Sequence, residues 1–383
     1  MAASKIVVAV VGAGAVAVAP AAAAARAAVP AAALAAAAAV GAADSASVPS
    51  GTALSQARPL FAGAGRDDPT SRTFFGLLLA ATLLPILWLS AAGSAAGAQI
   101  IPGWATLFLI WLGGSGHVAG SYAFYLEPKA RAFMTEERSL RFVWAPLMVV
   151  AVVGLTFSFS LTEPLIGWLI LGYWAWQVHH YSRQNIGILG FLARAERLPP
   201  SEAELRALRL TDLAGIAASL PLVSDFAATA IAPMSAWFWW LGLAAFVAAW
   251  GVWLVDRLGT GLRSRARDLG MVVLLLFYAP LFVFDSFPLA VTGFATAHGL
   301  QYFLFLTWVA RVPSSRQLRA FLGLGVCTLG LGVALFLSGL GARGTLYGLG
   351  LGVVMAHFVI DAGIWRLREP FQRSYMAERF SFL

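Results

Sequence analysis

The segment PLAVTGFATAHGLQYFLFLTWVA, residues 288–310, decides how this chain is read. It is apolar over enough residues to cross a hydrocarbon layer of about 30 Å as a helix. Its middle carries His298 and Gln301, side chains that are costly in hydrocarbon unless a partner or a function holds them there. One segment therefore predicts both a membrane helix and a polar site within it.

Apolar runs of similar length recur at 73–96, 103–126, 142–161, 164–190, 213–232, 235–255, 269–286, 320–340 and 344–365. Apolar residues make up 60% of the chain and charged residues 11%, proportions that a water-soluble core does not need. The pattern predicts an all-α, polytopic transmembrane helical bundle of about ten spans. That bundle is read as one domain over 71–367, followed by a cytoplasmic tail at 368–383. Residues 1–70 form an Ala-rich, low-complexity leader that has too few large side chains to bury much surface. The leader is expected to be disordered or signal-like.

A formal charge of +8 raises nucleic acid as a partner, yet lysine and arginine sit in short connectors rather than on one face, which argues against it. Basic residues follow alternate spans, among them Lys129 and Arg131, Arg194 and Arg197, and Arg316 and Arg319, whereas the intervening connectors carry only Arg343. This asymmetry predicts that both termini are cytoplasmic, in a multi-pass protein of a bacterial inner membrane. Trp237, Trp239 and Trp240 open the 235–255 run at the opposite surface, where amphipathic rings favour the headgroup layer. The single cysteine, Cys327, lies in an apolar run and supplies neither a disulfide framework nor a thiolate cluster.

All 5 histidines, His117, His179, His180, His298 and His357, fall in runs that enter from the same side. Measured from the outer start of each run they lie about 15 to 24 Å deep, at about 1.5 Å per residue. One intramembrane histidine alone is read more simply as an interhelical hydrogen bond. Four runs that contribute at one depth point instead to a metal centre, because imidazole is the commonest biological metal ligand. Fe(II) suits an all-nitrogen set with room for a further ligand; Zn, Cu and a bis-histidine haem are the other occupants.

Helical spacing puts Tyr173, Gln177, His180 and Gln184 on one stripe and His179 with Arg183 on its neighbour, so His179 is the weaker candidate. The metal set is then His117, His180, His298 and His357. Gln301 follows His298 by one helical turn and Asp361 follows His357 by one turn, so each can orient its histidine. With Tyr302 they form the candidate catalytic group; an ion pair to Arg366 or Arg368 is the other role open to Asp361. Gly113, Gly114, Gly116 and Gly120 surround His117 and suit close helix packing. The Gly-rich runs 322–332 and 341–352 lack the strand and lysine of a nucleotide loop.

The motifs GGSGHVAGSY (113–122), VHHYSRQN (178–185), ATAHGLQYF (295–303) and VMAHFVIDAGIWR (354–366) stand in an order and at intervals that resemble the Brp/Blh family of membrane β-carotene 15,15′-dioxygenases. The resemblance implies a non-haem iron enzyme with ligands at His117, His180 and His298, which uses O2 to cleave a lipid-soluble polyene to retinal. The chain departs from the family pattern at Tyr302, where the third motif carries a second histidine, and at Ser121, where the first motif carries a carboxylate. His357 can supply the missing imidazole. A polytopic transporter, or a haem- or metal-binding membrane subunit without turnover, is the contrasting expectation, since either also places His, Asp and Gln near the bilayer centre.

Overall fold

The computed structural model describes residues 69–92, 112–159, 163–222, 234–261, 264–284, 287–311, 316–325 and 344–380. The Ala-rich leader up to residue 68 and most of the run at 320–340 lie outside the described residues. Among the described residues every regular element is helical and there is no strand.

In chain order the α-helices are α1 (Pro69–Ala92), α2 (His117–Tyr122), α3 (Pro128–Ala132), α4 (Ala145–Ser158), α5 (Glu163–Ala195), α6 (Glu202–Leu222) and α7 (Ser235–Thr260). They continue as α8 (Arg265–Leu275), α9 (Pro280–Val283), α10 (Phe287–Ala310), α11 (Arg316–Ala320), α12 (Thr345–Ile364) and α13 (Pro370–Ala377). A π-helical turn, Leu112–Gly116, leads into α2, and another, Leu140–Trp144, leads into α4.

Among the described residues three helices are long and apolar enough to cross a membrane: Leu140–Ser158, Ser235–Thr260 and Thr345–Ile364. Their outer faces fit such a setting. Leu147, Met148, Val152 and Leu155 are exposed along α4, while on α7 Trp237 is 76% and Leu258 87% exposed. Contiguous apolar surface of this kind needs lipid or another apolar cover. In α5 and α10, polar residues, chiefly Gln177, His180, His298 and Gln301, interrupt the apolar run.

The run at 269–286, read as one span, is broken. Helix α8 tightens into a 3₁₀ turn at Leu276–Tyr278, and α9 restarts at Pro280. Proline has no N–H to continue the ladder, and its ring collides with the carbonyl one turn back. The break has a use in packing, because the Tyr278 hydroxyl donates to the Val178 carbonyl at 2.8 Å and lies 2.8 Å from Ser182 Oγ, tying the turn to α5.

Helices α6 and α7, α4 and α12, and α1 and α10 pack along each other. Small residues set two of these crossings. A Cβ added to Gly348 on α12 would lie 2.6 Å from Phe157 Cβ on α4, and one added to Gly242 on α7 would lie 2.8 Å from the Ala218 nitrogen on α6. Without side chains there, the backbones approach closely enough for dispersion contacts to hold helices that gain little from the hydrophobic effect in lipid.

Buried ions lock one end of the bundle. Ser201 Oγ accepts from the Glu204 N–H at 3.1 Å while Glu204 Oε2 accepts from the Ser201 N–H at 2.7 Å, a capping box that starts α6. The same carboxylate takes Arg257 from α7 at 2.9 Å and Arg267 from α8 at 2.5 Å. Arg267 also donates to the Leu198 and Pro199 carbonyls, at 2.7 and 2.9 Å. One guanidinium thereby joins the α5–α6 connector to α8.

The segment after residue 367, expected as a tail, is packed as far as Phe380. Arg379 is buried against Glu127 at 2.9 Å, and Phe371 stacks on Phe133 with ring centroids 3.9 Å apart. Phe380 meets Phe74, Phe191 and Phe305.

Burial alone would raise the Glu204 carboxyl, but its hydrogen bonds from Arg267 and the Ser201 N–H, with the nearby Arg257, hold it below the usual glutamate range. A depressed carboxylate contributes stability above its unfolded value of about 4.3 and loses it as pH falls further. Glu204→Gln is therefore expected to destabilise the purified protein by about 1–3 kcal/mol at neutral pH, since it removes the closest anion from two buried guanidinium groups that keep only longer contacts to Asp268 and Glu196 and the contact of Arg257 with Asp256. Thermal unfolding in detergent as a function of pH checks this: the difference from the parent chain should shrink on acidification, and a constant difference contradicts it.

Candidate metal centre

Four elements bring histidines together: α2 carries His117, α5 His180, α10 His298 and α12 His357, and all four residues are buried. The approach of α2 to α10 rests on glycine. A Cβ on Gly299 would fall on the Gly113 carbonyl, and one on Gly113 would fall on the Thr296 backbone. Gly113 lies in the π-helical turn before α2, an irregularity that proteins use where a side chain must be re-aimed. Gly120, one turn past His117, makes room for Leu306.

Hydrogen bonds fix the tautomers of two rings. His117 Nδ1 bonds the Gly113 carbonyl at 2.6 Å, and His357 Nδ1 bonds the Val354 carbonyl. A carbonyl only accepts, so each Nδ1 is the protonated nitrogen and each neutral ring carries its lone pair on Nε2. Those two Nε2 atoms face one another at 3.2 Å. With both rings neutral no proton is left to join them, so two lone pairs face one another between buried rings.

His180 completes a triad. His117, His180 and His357 each offer a ligand nitrogen, and all three nitrogens lie within 4.8 Å of one another. His180 Nε2 has no hydrogen-bond partner, and its ring stacks on Phe358 with centroids 4.5 Å apart. His298 stands beside this set rather than in it. Its ring is edge-on to His117 and His180, at centroid distances of 4.7 and 4.9 Å, and leans on Tyr181 at 4.2 Å. Fully buried, it has a partner at neither ring nitrogen.

The residues grouped with the histidines fall into two places. Asp361 and Tyr302 belong to the cluster: the Tyr302 hydroxyl donates to Asp361 Oδ1 at 2.8 Å, and Asp361 Oδ2 lies 3.7 Å from His180 Nε2. Arg366 turns away to the Ala362 carbonyl at 2.8 Å, and Arg368 meets Glu369 at 3.9 Å. Gln301 is engaged elsewhere, accepting from Gln184 at 2.7 Å and donating to Thr82 Oγ1 on α1 at 2.7 Å. Gln184 also donates to the His298 carbonyl at 3.1 Å. This chain fixes how α1, α5 and α10 sit, so Gln301 acts on the site through the scaffold. His179 points out of the cluster and pairs with Asp212 on α6 at 2.7 Å.

Sequence spacing missed the Tyr302–Asp361 bond and the part played by Thr82. A signal for the first was present, since Tyr302 and Asp361 each lie one turn beyond a cluster histidine and so share a level. Thr82 had none, because a threonine in an apolar helix normally bonds its own backbone, as Thr82 also does to the Leu78 carbonyl at 2.8 Å.

Comparison of the chain with protein-family models, with curated proteins and with solved structures found no match.

The glycine contact gives a direct test. Gly299→Ala is expected to force α2 from α10 and to cost about 1–3 kcal/mol in thermal unfolding. Gly114→Ala is the control, since nothing lies within 4 Å of a Cβ there. Equal stability of the two variants would show that the approach is not tight.

Proposed function

We propose that this chain is a multi-pass membrane protein of about ten spans, whose buried histidine cluster holds Fe(II), and that it oxygenates a lipid-soluble polyene or other isoprenoid. Carotenoid cleavage to retinal is the most specific form of the proposal. Both termini are assigned to the cytoplasmic side of a bacterial inner membrane by the basic connectors.

The observation that carries the metal reading is the pair of Nε2 atoms 3.2 Å apart, each with its other nitrogen committed to a carbonyl. A cation between them turns repulsion into two bonds. Two donors about 2.1 Å from one ion stand about 3.0–3.4 Å apart at right or tetrahedral angles, which fits. Axial ligands of a haem stand on opposite faces, about 4 Å apart, which does not. The absence of thiolate from the cluster and the presence of Asp361 favour Fe(II) over Cu, and Zn is the alternative that the donors also accept.

When bound, Fe(II) supplies activation of O2 toward an electron-rich double bond. The chain's own residues do the rest. His117, His180 and His357 hold the ion, with His298 beside them as a further imidazole. Phe358, Tyr181 and Tyr173 form aromatic walls that exclude water and offer flat surface to a conjugated chain. The Asp361–Tyr302 pair is the polar partner within reach of the histidines. A substrate dissolved in the bilayer reaches such a site sideways, and a dry pocket protects a reactive oxidant from water. The order of the motifs supports this substrate class through the family they resemble.

Two measurements test the proposal in sequence. Purified protein should contain close to one equivalent of iron, lost in His117→Ala and His357→Ala; a metal-free parent chain sinks the metal centre. Expression in β-carotene-producing cells should then bleach the colour and yield retinal. Retained colour, with iron present, removes carotenoid cleavage.

A further inference from the structure

Helix α5 ends in a way that glycine usually provides. The Leu198 N–H donates to the Ala193 carbonyl at 2.9 Å and the Arg197 N–H to the Arg194 carbonyl at 3.0 Å, a closure that puts Arg197 in the left-handed region at φ 56°. Among the described residues no other non-glycine has a positive φ. Arginine there carries a strain that glycine would relieve. Its side chain lines an open pocket of about 580 Å³, whose walls also include Arg194, Leu198 and Pro200 and, beyond α12, Leu367 and Arg368. Three arginines and no acid line this pocket. Glu196, the neighbour of Arg197, is turned to Ser264 and lies 3.8 Å from Arg267. Arg368 meets Glu369 across 3.9 Å with both side chains exposed, a pair that solvent screens. Arg141 feels the charges of Arg138, Arg366 and Arg368, which extends the positive field along this surface. The connector wall is rigid, since Arg267 holds the Leu198 and Pro199 carbonyls.

Depth indicates the kind of anion that fits. Arg194 stands about 21 Å along α5 from His180. With the histidines near the bilayer centre, that level is past the hydrocarbon edge at about 15 Å and within the headgroup layer, which ends about 20–22 Å out. We propose that this pocket seats the phosphate headgroup of an anionic phospholipid, with Arg194, Arg197 and Arg368 as its counter-charges. Leu198 and Leu367 then lie against the glycerol and upper acyl carbons, and the guanidinium forks suit phosphate oxygens. The assignment rests on the membrane reading above, and is independent of the metal.

The test uses the full chain in non-ionic detergent, titrated with phosphatidylglycerol or with phosphatidylcholine of the same acyl chains, and counts bound lipid by native mass spectrometry. The parent chain is expected to hold phosphatidylglycerol about tenfold more tightly or better. Arg197→Gly removes the charge and relieves the backbone at once. It should weaken phosphatidylglycerol binding about fivefold while thermal unfolding in lipid-free detergent stays the same or rises, a combination that a merely structural arginine would not give. Arg368→Gln should lose binding similarly. Arg209→Gln, exposed on α6 beside Glu202 at 3.4 Å, should keep it. Equal affinity of the parent chain for both lipids, or unchanged affinity in both pocket variants, overturns the proposal. So does an equal loss in Arg209→Gln, which would mean diffuse surface charge, or displacement of the lipid by millimolar inorganic phosphate, which would mean a soluble anion. Release of the chain from cell membranes by alkaline carbonate overturns the membrane reading and this proposal with it. A chain that stays in the membrane but shows no lipid preference overturns this proposal alone.

Discussion

The contact on which the centre of the bundle turns is that of two imidazole Nε2 atoms 3.2 Å apart. The commitment of each Nδ1 to a backbone carbonyl one turn away removes the usual escape, in which one ring donates to the other. Water cannot separate them cheaply, because the helices around the cluster are apolar and both rings are buried. Much of the bundle's detail serves this juxtaposition. The glycine contact between the turn before α2 and helix α10 brings His117 inward, and the Gln184–Gln301–Thr82 chain fixes the helices that flank it.

One end of the bundle obeys the opposite electrostatic rule. There the buried carboxylates Glu127 and Glu204 each have an arginine, and the pairs join successive helices and the C-terminal segment to one another. Arg267 reaches Glu204 and two carbonyls of the α5–α6 connector, so the helix that carries His180 is anchored at the end where it would otherwise fray. The last residues contribute to the same closure. Phe380 lies on Phe305, Phe305 on Trp365, and Trp365 on Tyr302, an aromatic stack that runs from the C-terminal segment to the partner of Asp361. A segment that reads as a polar tail is thus a floor beneath the site, because its Phe371, Tyr375, Met376 and Phe380 repeat at helical spacing.

Depth was legible in the sequence and azimuth was not. A helix rises by a fixed amount per residue, so the level of His117, His180, His298 and His357 follows from counting, and the structure brings these four rings together. Which three nitrogens converge depends on helix rotation and crossing, which counting does not supply. His298 therefore ends edge-on to the triad while His357 meets His117 head-on. Stripe arguments within one helix served for His180 against His179, whose ring leaves for Asp212. They served less well across helices: Gln301, one turn from His298, takes partners on α1 and α5. The break at Pro280 was readable from the residue itself, but the apolar run on either side masks it.

Hydropathy also sorts the helices by what they do. Leu140–Ser158, the most apolar of the three membrane-length helices, has 22% of its span buried, whereas Thr345–Ile364, which carries His357 and Asp361, has 56% buried. The two pack along each other through Gly154 and Gly348, so the first screens the second. Helices α5 and α10 carry histidines and glutamines within their apolar runs, and they turn those residues inward to the cluster and its supports. In a bundle of this composition, weak apolarity at mid-helix marks the site more directly than strong apolarity marks the membrane.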